Sequence, residues 1–390
     1  MGKRSVAVVF VATMLLLPVL GILVGYQLAD RGFTPESWKA SNIVRGRVAQ
    51  WRQVETVAGA FAMAKRSIEG LEGCYYTRDL DFSRITWVGK DIPTPYVGYA
   101  PMPGPLASGH INSMQFRYGR ELAIPKPAGL CRIFVTGGST AYSAGATSNA
   151  TTIGGYLEKY LNDRSAEFGR RFEVITAAAP AWTSTHERIL VENRLVELEP
   201  DIVIAVSGHN DAFWSSQGQN VMSFRSFRDD YFFLLANSLL RSRFGEELPQ
   251  TPPALESTIP AGQAALRLSR NVRLAHASLE FIGADYCFVL QPNFACSRKT
   301  PTERERQLAN PAGDEDLRQR YAAFRSSLGQ LSFPRLHFYD LTGVFDELDA
   351  KTEVFIDSCH FGERGNDLIA RAIFRVLEPV LYARLKVASR

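Results

Sequence analysis

The chain has 390 residues, 46% hydrophobic and 22% charged, with a net charge of +4. This is the composition of an ordinary folded protein, which excludes a disordered or collagen-like chain, and its basic residues are scattered rather than clustered, which argues against nucleic acid as a partner. Five widely spaced cysteines with no Cys-x-x-Cys pair argue against a zinc site or a disulfide framework.

Within that count, Cys287 and Cys296 are close enough in sequence to bridge in an oxidising compartment. Cys131 and Cys287 sit in apolar runs, which predicts buried thiols.

At the amino terminus, Lys3 and Arg4 precede an uncharged run over residues 5–29. As a helix rising about 1.5 Å per residue, it exceeds the roughly 30 Å hydrocarbon core of a bilayer. Residues 1–30 therefore predict one N-terminal transmembrane helix, an uncleaved anchor. A secretory signal is the competing reading, but its apolar region is usually about 7–15 residues, and Gln27 and Ala29 fit a cleavage site poorly. Basic residues at the extreme end place that end in the cytoplasm, and the remainder in the periplasm or outside the cell.

Residues 31–128 read as a membrane-proximal lead-in, helical over 36–70 and extended over the Gly-, Pro- and Tyr-rich stretch 74–128. From residue 129 to 385 the pattern changes. Short apolar runs, "CRIFVTG", "FEVITAA", "DIVIAVSG", "YCFVLQP" and "LHFYDL", alternate with stretches of helical spacing such as "TTIGGYLEKYLND" and "GNDLIARAIFRVLEPVLY". Runs that are apolar at nearly every position predict strands covered on both faces, hence a parallel sheet of about five strands with helices on each side. Residues 212–280 interrupt the alternation and read as an aromatic, helical insertion. In open sheets of this kind a ligand lies beyond the carboxyl ends of the strands.

The first strand end carries "GGST", with Ser139 after Gly137 and Gly138. No lysine lies between Lys126 and Lys159, so a phosphate-binding P-loop is excluded, and Ala141 breaks the Gly-x-Ser-x-Gly elbow. The later strand ends carry "APAWTST" and "GHND", and the carboxyl-terminal part carries "FIDSCHFGERG". Asp357 and His360, three apart, can aim into one space, where a carboxylate holds an imidazole at Nδ1 while Nε2 faces a serine. Asn210 offers a side-chain N–H, and a backbone N–H near Ala181 offers another.

In this order the blocks resemble the SGNH (GDSL-type) hydrolase superfamily, over roughly residues 95–380. Gly138 stands where an aspartate is frequent, and Ala181 where the oxyanion glycine is usual. "INSMQFR", residues 111–117, is similar to a lead-in of some bacterial members. The resemblance implies a three-layer α/β/α sandwich of SGNH/flavodoxin-like type. It also implies a serine esterase, with Ser139 as nucleophile, His360 as general base and Asp357 as its orienter, and an oxyanion hole of Ser139, Ala181 and Asn210. No metal or organic cofactor is implied. The partner is an acyl-ester substrate, with a glycan or lipid O-acyl group suggested by the anchor. An O-acyltransferase using the same acyl-enzyme and a non-catalytic binding module are the alternatives.

Four further residues are candidates for the substrate pocket: Gly138, Trp182, His209 and Trp214. The two tryptophans could stack on a sugar ring or pack in the core. Asp211 reads as a brace for the Asn210 loop, and His186 and His337 as structural.

Overall fold

The lead-in forms two short antiparallel pairs, β1 (Asp91–Thr94) with β2 (Gly98–Pro101) and β3 (Gly104–Leu106) with β4 (Gly109–Ile111). The five apolar runs then become β5 (Leu130–Gly137), β6 (Arg171–Ala178), β7 (Ile202–Ser207), β8 (Asp285–Leu290) and β9 (Leu336–Asp340). They pair in parallel in the order β6-β5-β7-β8-β9. Every residue of β7 and β8 is buried, so both faces of the sheet need a cover. This account rests on a computed structural model that describes residues 72–76, 91–216 and 258–388, with Gly218, Arg243 and Gly245 between.

Eight helices are used below: α1 (Ser139–Tyr142), α2 (Ile153–Asp163), α3 (Ser165–Phe168), α4 (Ser184–Asn193), α5 (His209–Ser216), α6 (Ala261–Phe281), α7 (Pro311–Gly329) and α8 (Glu363–Ala388). Two hydrophobic clusters show how they are layered. Leu190 of α4, Leu268 of α6 and Phe324 of α7 pack with Phe134, Val203 and Phe288 of the sheet. Leu157 of α2 and Ile373 of α8 pack with Ile133, Val135 and Ile204, from alternate positions of the same strands. Alternate strand residues point to opposite faces, so the result is an α/β/α sandwich. In α2, Ile153, Leu157 and Leu161 are fully buried and recur every four residues along one helical face, each contributing roughly 1.5–3 kcal/mol of burial. Thr152 begins that helix by accepting from the Gly155 N–H.

From β5 the chain moves outward to β6 and then returns past β5 to β7. The reversal opens a crevice between the carboxyl ends of β5 and β7, where ligands of such sheets bind. The "GGST" loop leaves β5 into that crevice.

Several expectations are corrected here. The transmembrane helix, the membrane partner and the periplasmic or extracellular placement are not upheld. Among the described residues no helix is long and apolar enough to cross a membrane. The 26 residues of α8 are long enough but carry Arg371, Arg375 and Arg384. The anchor expected over 1–30 and the helix expected over 36–70 lie outside the described residues. The Cys287–Cys296 bridge is absent, and all five thiols are free, with Cys131 and Cys287 buried. Residues 261–281, which run one past the end of the 212–280 stretch, form α6, a covering helix of the sheet packed on α4 and α7. Most of 217–257 lies outside the described residues.

Candidate active site

Gly137 ends β5 with a φ of 147°, a conformation that side chains resist. A Cβ there would run into the Val206 carbonyl, and one on Gly138 would enter the Asn210 amide. Two adjacent glycines thus let the chain pass between the neighbouring loops and start α1 directly on Ser139. As first residue of the helix, Ser139 has a backbone N–H with no intrahelical acceptor. The far end of α1 is fixed by Arg117, which is buried and donates from Nη1 to the carbonyls of Tyr142 (2.9 Å) and Ser143 (2.8 Å) and from Nη2 to that of Ser108 (3.0 Å).

The loop before α8 is closed on itself. Phe355 bridges to Phe361, and the Ile356 N–H donates to the His360 carbonyl at 2.8 Å. That closure turns Asp357 and His360 to the same side. His360 Nδ1 lies 2.8 Å from Asp357 Oδ2 and 2.9 Å from Oδ1, and Nε2 lies 2.6 Å from Ser139 Oγ. Asp357 Oδ1 also accepts the N–H groups of Cys359 and His360, each at 2.9 Å.

The charges follow from this packing. Burial would raise the Asp357 carboxyl, but the His360 ring and the two amides outweigh it and hold it well below the usual carboxylate range. Burial would lower the His360 imidazole, yet the Asp357 carboxylate beside it carries it well above its ordinary value. The two loops are tied together by Thr140, whose hydroxyl donates to the Cys359 carbonyl at 3.1 Å and accepts from Gln291 Nε2 at 2.9 Å.

The other expected donors come to the same edge. Asn210, near the start of α5, donates from Nδ2 to the Trp182 carbonyl at 2.7 Å and lies against Gly138. The next residue, Asp211, is buried and accepts from the Ser184 N–H (2.9 Å) and hydroxyl (2.6 Å). It therefore fastens the loop after β7 to the loop after β6. Burial raises the Asp211 carboxyl against the opposing pull of those Ser184 bonds. Ala181 sits on the loop after β6 with a φ of 67°, a left-handed conformation that costs a non-glycine residue roughly 1–2 kcal/mol.

Ser139, His360 and Asp357 are thus in one hydrogen-bonded chain, with Asn210 and Gly138 beside them and Ala181 on the adjoining loop. The pocket candidates divide. His209 is half-buried beside Asn210, stacked on Phe213 at 6.1 Å. Trp214 is half-buried and packs edge-on against Phe213. Trp182 is 2% exposed, donates to the Tyr99 carbonyl at 3.1 Å and stacks on His186, so it is a core residue and cannot meet a sugar. His186 is buried as the partner of Thr183 at the start of α4, and His337 contacts Asp285.

Sequence reasoning passed over the supports. Arg117 belongs to the "INSMQFR" motif, but nothing in that string names the carbonyls it binds. Tyr99 donates to the Pro180 carbonyl at 2.9 Å, which ties the lead-in to the Ala181 loop. Cys359 also went unremarked. Its sulfur lies 3.5 Å from His360 Nδ1. Burial pushes the thiol up, and His209 and His360 more than reverse this, bringing it down to about 7.

No family model and no curated protein matches the chain. Solved structures do. The chain is similar to an acetyl xylan esterase, AlAXEase, at 12% identity and a TM-score of 0.39, over 63% of this chain and 99% of that one. It is similar to Axe2, an acetylxylan esterase from Geobacillus stearothermophilus, at 13% and 0.38, over 63% and 94%. It is also similar to LAE5, an alpha/beta hydrolase enzyme from the metagenome of Lake Arreo, Spain, at 14% and 0.38, over 63% and 94%. Likeness this slight carries no inference about activity.

The SGNH assignment is corrected with its fold label. No family model supports it, and the structures found bear the titles of esterases, lipases and an alpha/beta hydrolase. The physical reason is that the four blocks are short and answer a chemical demand, which unrelated chains meet by convergence. What the arrangement makes available is the chemistry of a serine hydrolase on acyl esters.

Proposed function

We propose that the protein is a serine esterase that works through an acyl-enzyme on Ser139. The observation that supports this is the unbroken chain from Asp357 through His360 to Ser139, with contacts of 2.8 and 2.6 Å. A serine hydroxyl is a poor nucleophile until a neighbouring base takes its proton. In this reading Ser139 Oγ attacks the ester carbonyl as its proton passes to His360 Nε2, and the carbonyl π electrons move onto oxygen. The N–H groups of Ser139 and Ala181 and the Asn210 amide receive that oxyanion. Collapse expels the alkoxide, which leaves with the proton from His360. Water then attacks the acyl-Ser139 ester, giving its proton to His360, and the acid departs as Oγ is reprotonated. Asp357 keeps Nδ1 protonated and offsets the imidazolium charge throughout.

The test is hydrolysis of p-nitrophenyl acetate by the full chain and by Ser139→Ala. We expect the variant to lose at least about a thousandfold in kcat/KM, and the intact protein to show an acetyl adduct by mass during turnover. Equal rates in the two proteins would end the proposal.

A further inference from the structure

We infer that a zinc-type divalent cation, Zn²⁺ or Cd²⁺, binds inside the Asp357–His360 loop and switches the site off. The starting point is a set of donors larger than ester hydrolysis needs. The Asp357 carboxylate, the Cys359 thiol and the His360 ring present one ligand atom each, all within 4.8 Å of one another. A serine esterase has no use for the thiol, and the loop nevertheless turns it onto the ring.

The spacing is that of a thiol–imidazole hydrogen bond and equally that of two ligands on one metal ion. With Zn–S near 2.3 Å and Zn–N of about 2.0–2.1 Å, a tetrahedral site separates sulfur from nitrogen by about 3.6 Å. Cys359 Sγ lies 3.5 Å from His360 Nδ1. Asp357 Oδ2, at 2.8 Å from Nδ1, is closer than two ligands of one ion would be, because a proton lies between them. By the same bond lengths a zinc would open that gap to about 3.3 Å, a shift of about half an ångström. Asp357 Oδ1 is held by two backbone amides, so the carboxylate can pivot about that oxygen. His209 lies near the Cys359 thiol but is not among the converging donors, so the fourth position of the ion falls to water.

Entry of the cation sends the thiol proton to solvent, moves the His360 ring proton from Nδ1 to Nε2, and forms bonds to nitrogen, sulfur and the carboxylate. Nε2 still faces Ser139. It now carries the ring's one proton, as a neutral metal-bound imidazole does, so it has no lone pair left to accept the serine proton, and Asp357 is engaged by the metal. The binding half of this inference is independent of the esterase reading, and the inhibition half rests on it.

The test has two arms. In the first, p-nitrophenyl acetate hydrolysis by the full chain is followed as Zn²⁺ is added and then removed by EDTA, for the natural protein and Cys359→Ser. We expect reversible inhibition of the natural protein, and in the variant an apparent inhibition constant at least tenfold weaker, each protein being compared with its own metal-free rate. Equal inhibition in the two would overturn the proposal. In the second arm Cd²⁺ is added to Ser139→Ala, and the ultraviolet thiolate-to-cadmium band is compared with that of the Ser139→Ala, Cys359→Ser double variant. A band in the first protein that vanishes in the second supports the site even if no esterase activity exists, and a band in neither or in both refutes it. Should Cys359→Ser fail to fold, cadmium NMR of the natural protein decides: a resonance of one sulfur with nitrogen and oxygen ligands supports the site, and its absence refutes it.

Discussion

The two edges of the sheet are built on opposite principles. At the amino edge of β7, β8 and β9, charged groups satisfy one another. Asp201 accepts from Lys126 (2.5 Å) and Arg384 (3.1 Å), and Asp285 accepts from Arg384 (2.7 Å), Arg335 (3.3 Å) and His337 (3.3 Å). A cavity of about 480 Å³ opens beside Asp201, Asp285, Arg335, His337 and Arg384, yet these five groups are already engaged in the ion pairs just named. At the carboxyl edge the polar groups stay available: the Ser139 hydroxyl faces a base, the Ala181 backbone is strained, and the His209 nitrogen has no protein acceptor among the described residues. Space alone therefore does not mark the reacting edge. Incompletely satisfied groups in a strained frame do.

The largest expected effect breaks the carboxyl edge. Asp357→Asn keeps the shape of the side chain and removes the charge that orients and supports His360. We expect kcat to fall about ten-thousand-fold. The pH profile adds a sign. The base must be neutral to act, so activity of the natural protein falls as pH drops through the raised His360 value, above the ordinary histidine range. In Asp357→Asn the largest upward pull is gone and only that of Cys359 opposes burial, which lowers the ring, so the residual activity should persist to lower pH. A variant whose acid limb stays in place would show that Asp357 does not govern the imidazole.

A smaller effect tests the amino edge. Burial raises the Asp285 carboxyl, but His337 and Arg384 outweigh it, and the net shift is downward. A carboxyl lowered in the folded state contributes stability above its unfolded value near 3.9, and that stability is lost as pH falls. Asp285→Asn should therefore cost roughly 1–3 kcal/mol at neutral pH by urea denaturation, with the gap to the natural protein narrowing below about pH 4. The kcat should not change. A kcat loss comparable to the stability loss would mean that the two edges are not separable.

How far this division could be read in advance depended on how local its causes are. β5 to β9 were legible because a strand buried on both faces is apolar at nearly every position, as in "DIVIAVS". Asp357 and His360 were legible because their three-residue spacing is itself the geometry. On sequence Trp182 suits a sugar platform and the core equally, since its indole serves either and its neighbours lie in a site loop. Its actual partner, Tyr99, is 83 residues away, and no local pattern reports that. Arg117 was visible as a motif residue and illegible as a clamp for the same reason. In α6, Ala264, Leu268, Val272 and Leu279 carry helical spacing, but the arginines between them and the aromatic stretch before them hid a sheet-covering helix within an apparent insertion.

The smallest prediction compares the backbone at the two edges directly. Ala181, at the reacting edge, and Gly129, before β5 at the amino edge, both have left-handed φ values, 67° and 76°. Only the second is the residue that conformation favours. Ala181→Gly should relieve roughly 1–2 kcal/mol of strain and lose about 0.5–1 kcal/mol of it to the greater freedom of glycine in the unfolded chain. The expected net gain lies between zero and about 1.5 kcal/mol by urea denaturation. Since the N–H is kept, kcat should stay within a few-fold, and bulkier acyl esters should gain relative to acetate as the methyl leaves the pocket. Gly129→Ala meets no atom within 4 Å, so its cost is conformational alone, a loss of about 1 kcal/mol with kcat unchanged. Opposite signs at the two positions would establish that the reacting edge tolerates strain which the other edge avoids. If Ala181→Gly instead loses as much stability as Gly129→Ala, packing of the methyl outweighs the dihedral at 181, and strain is no longer part of what distinguishes the two edges.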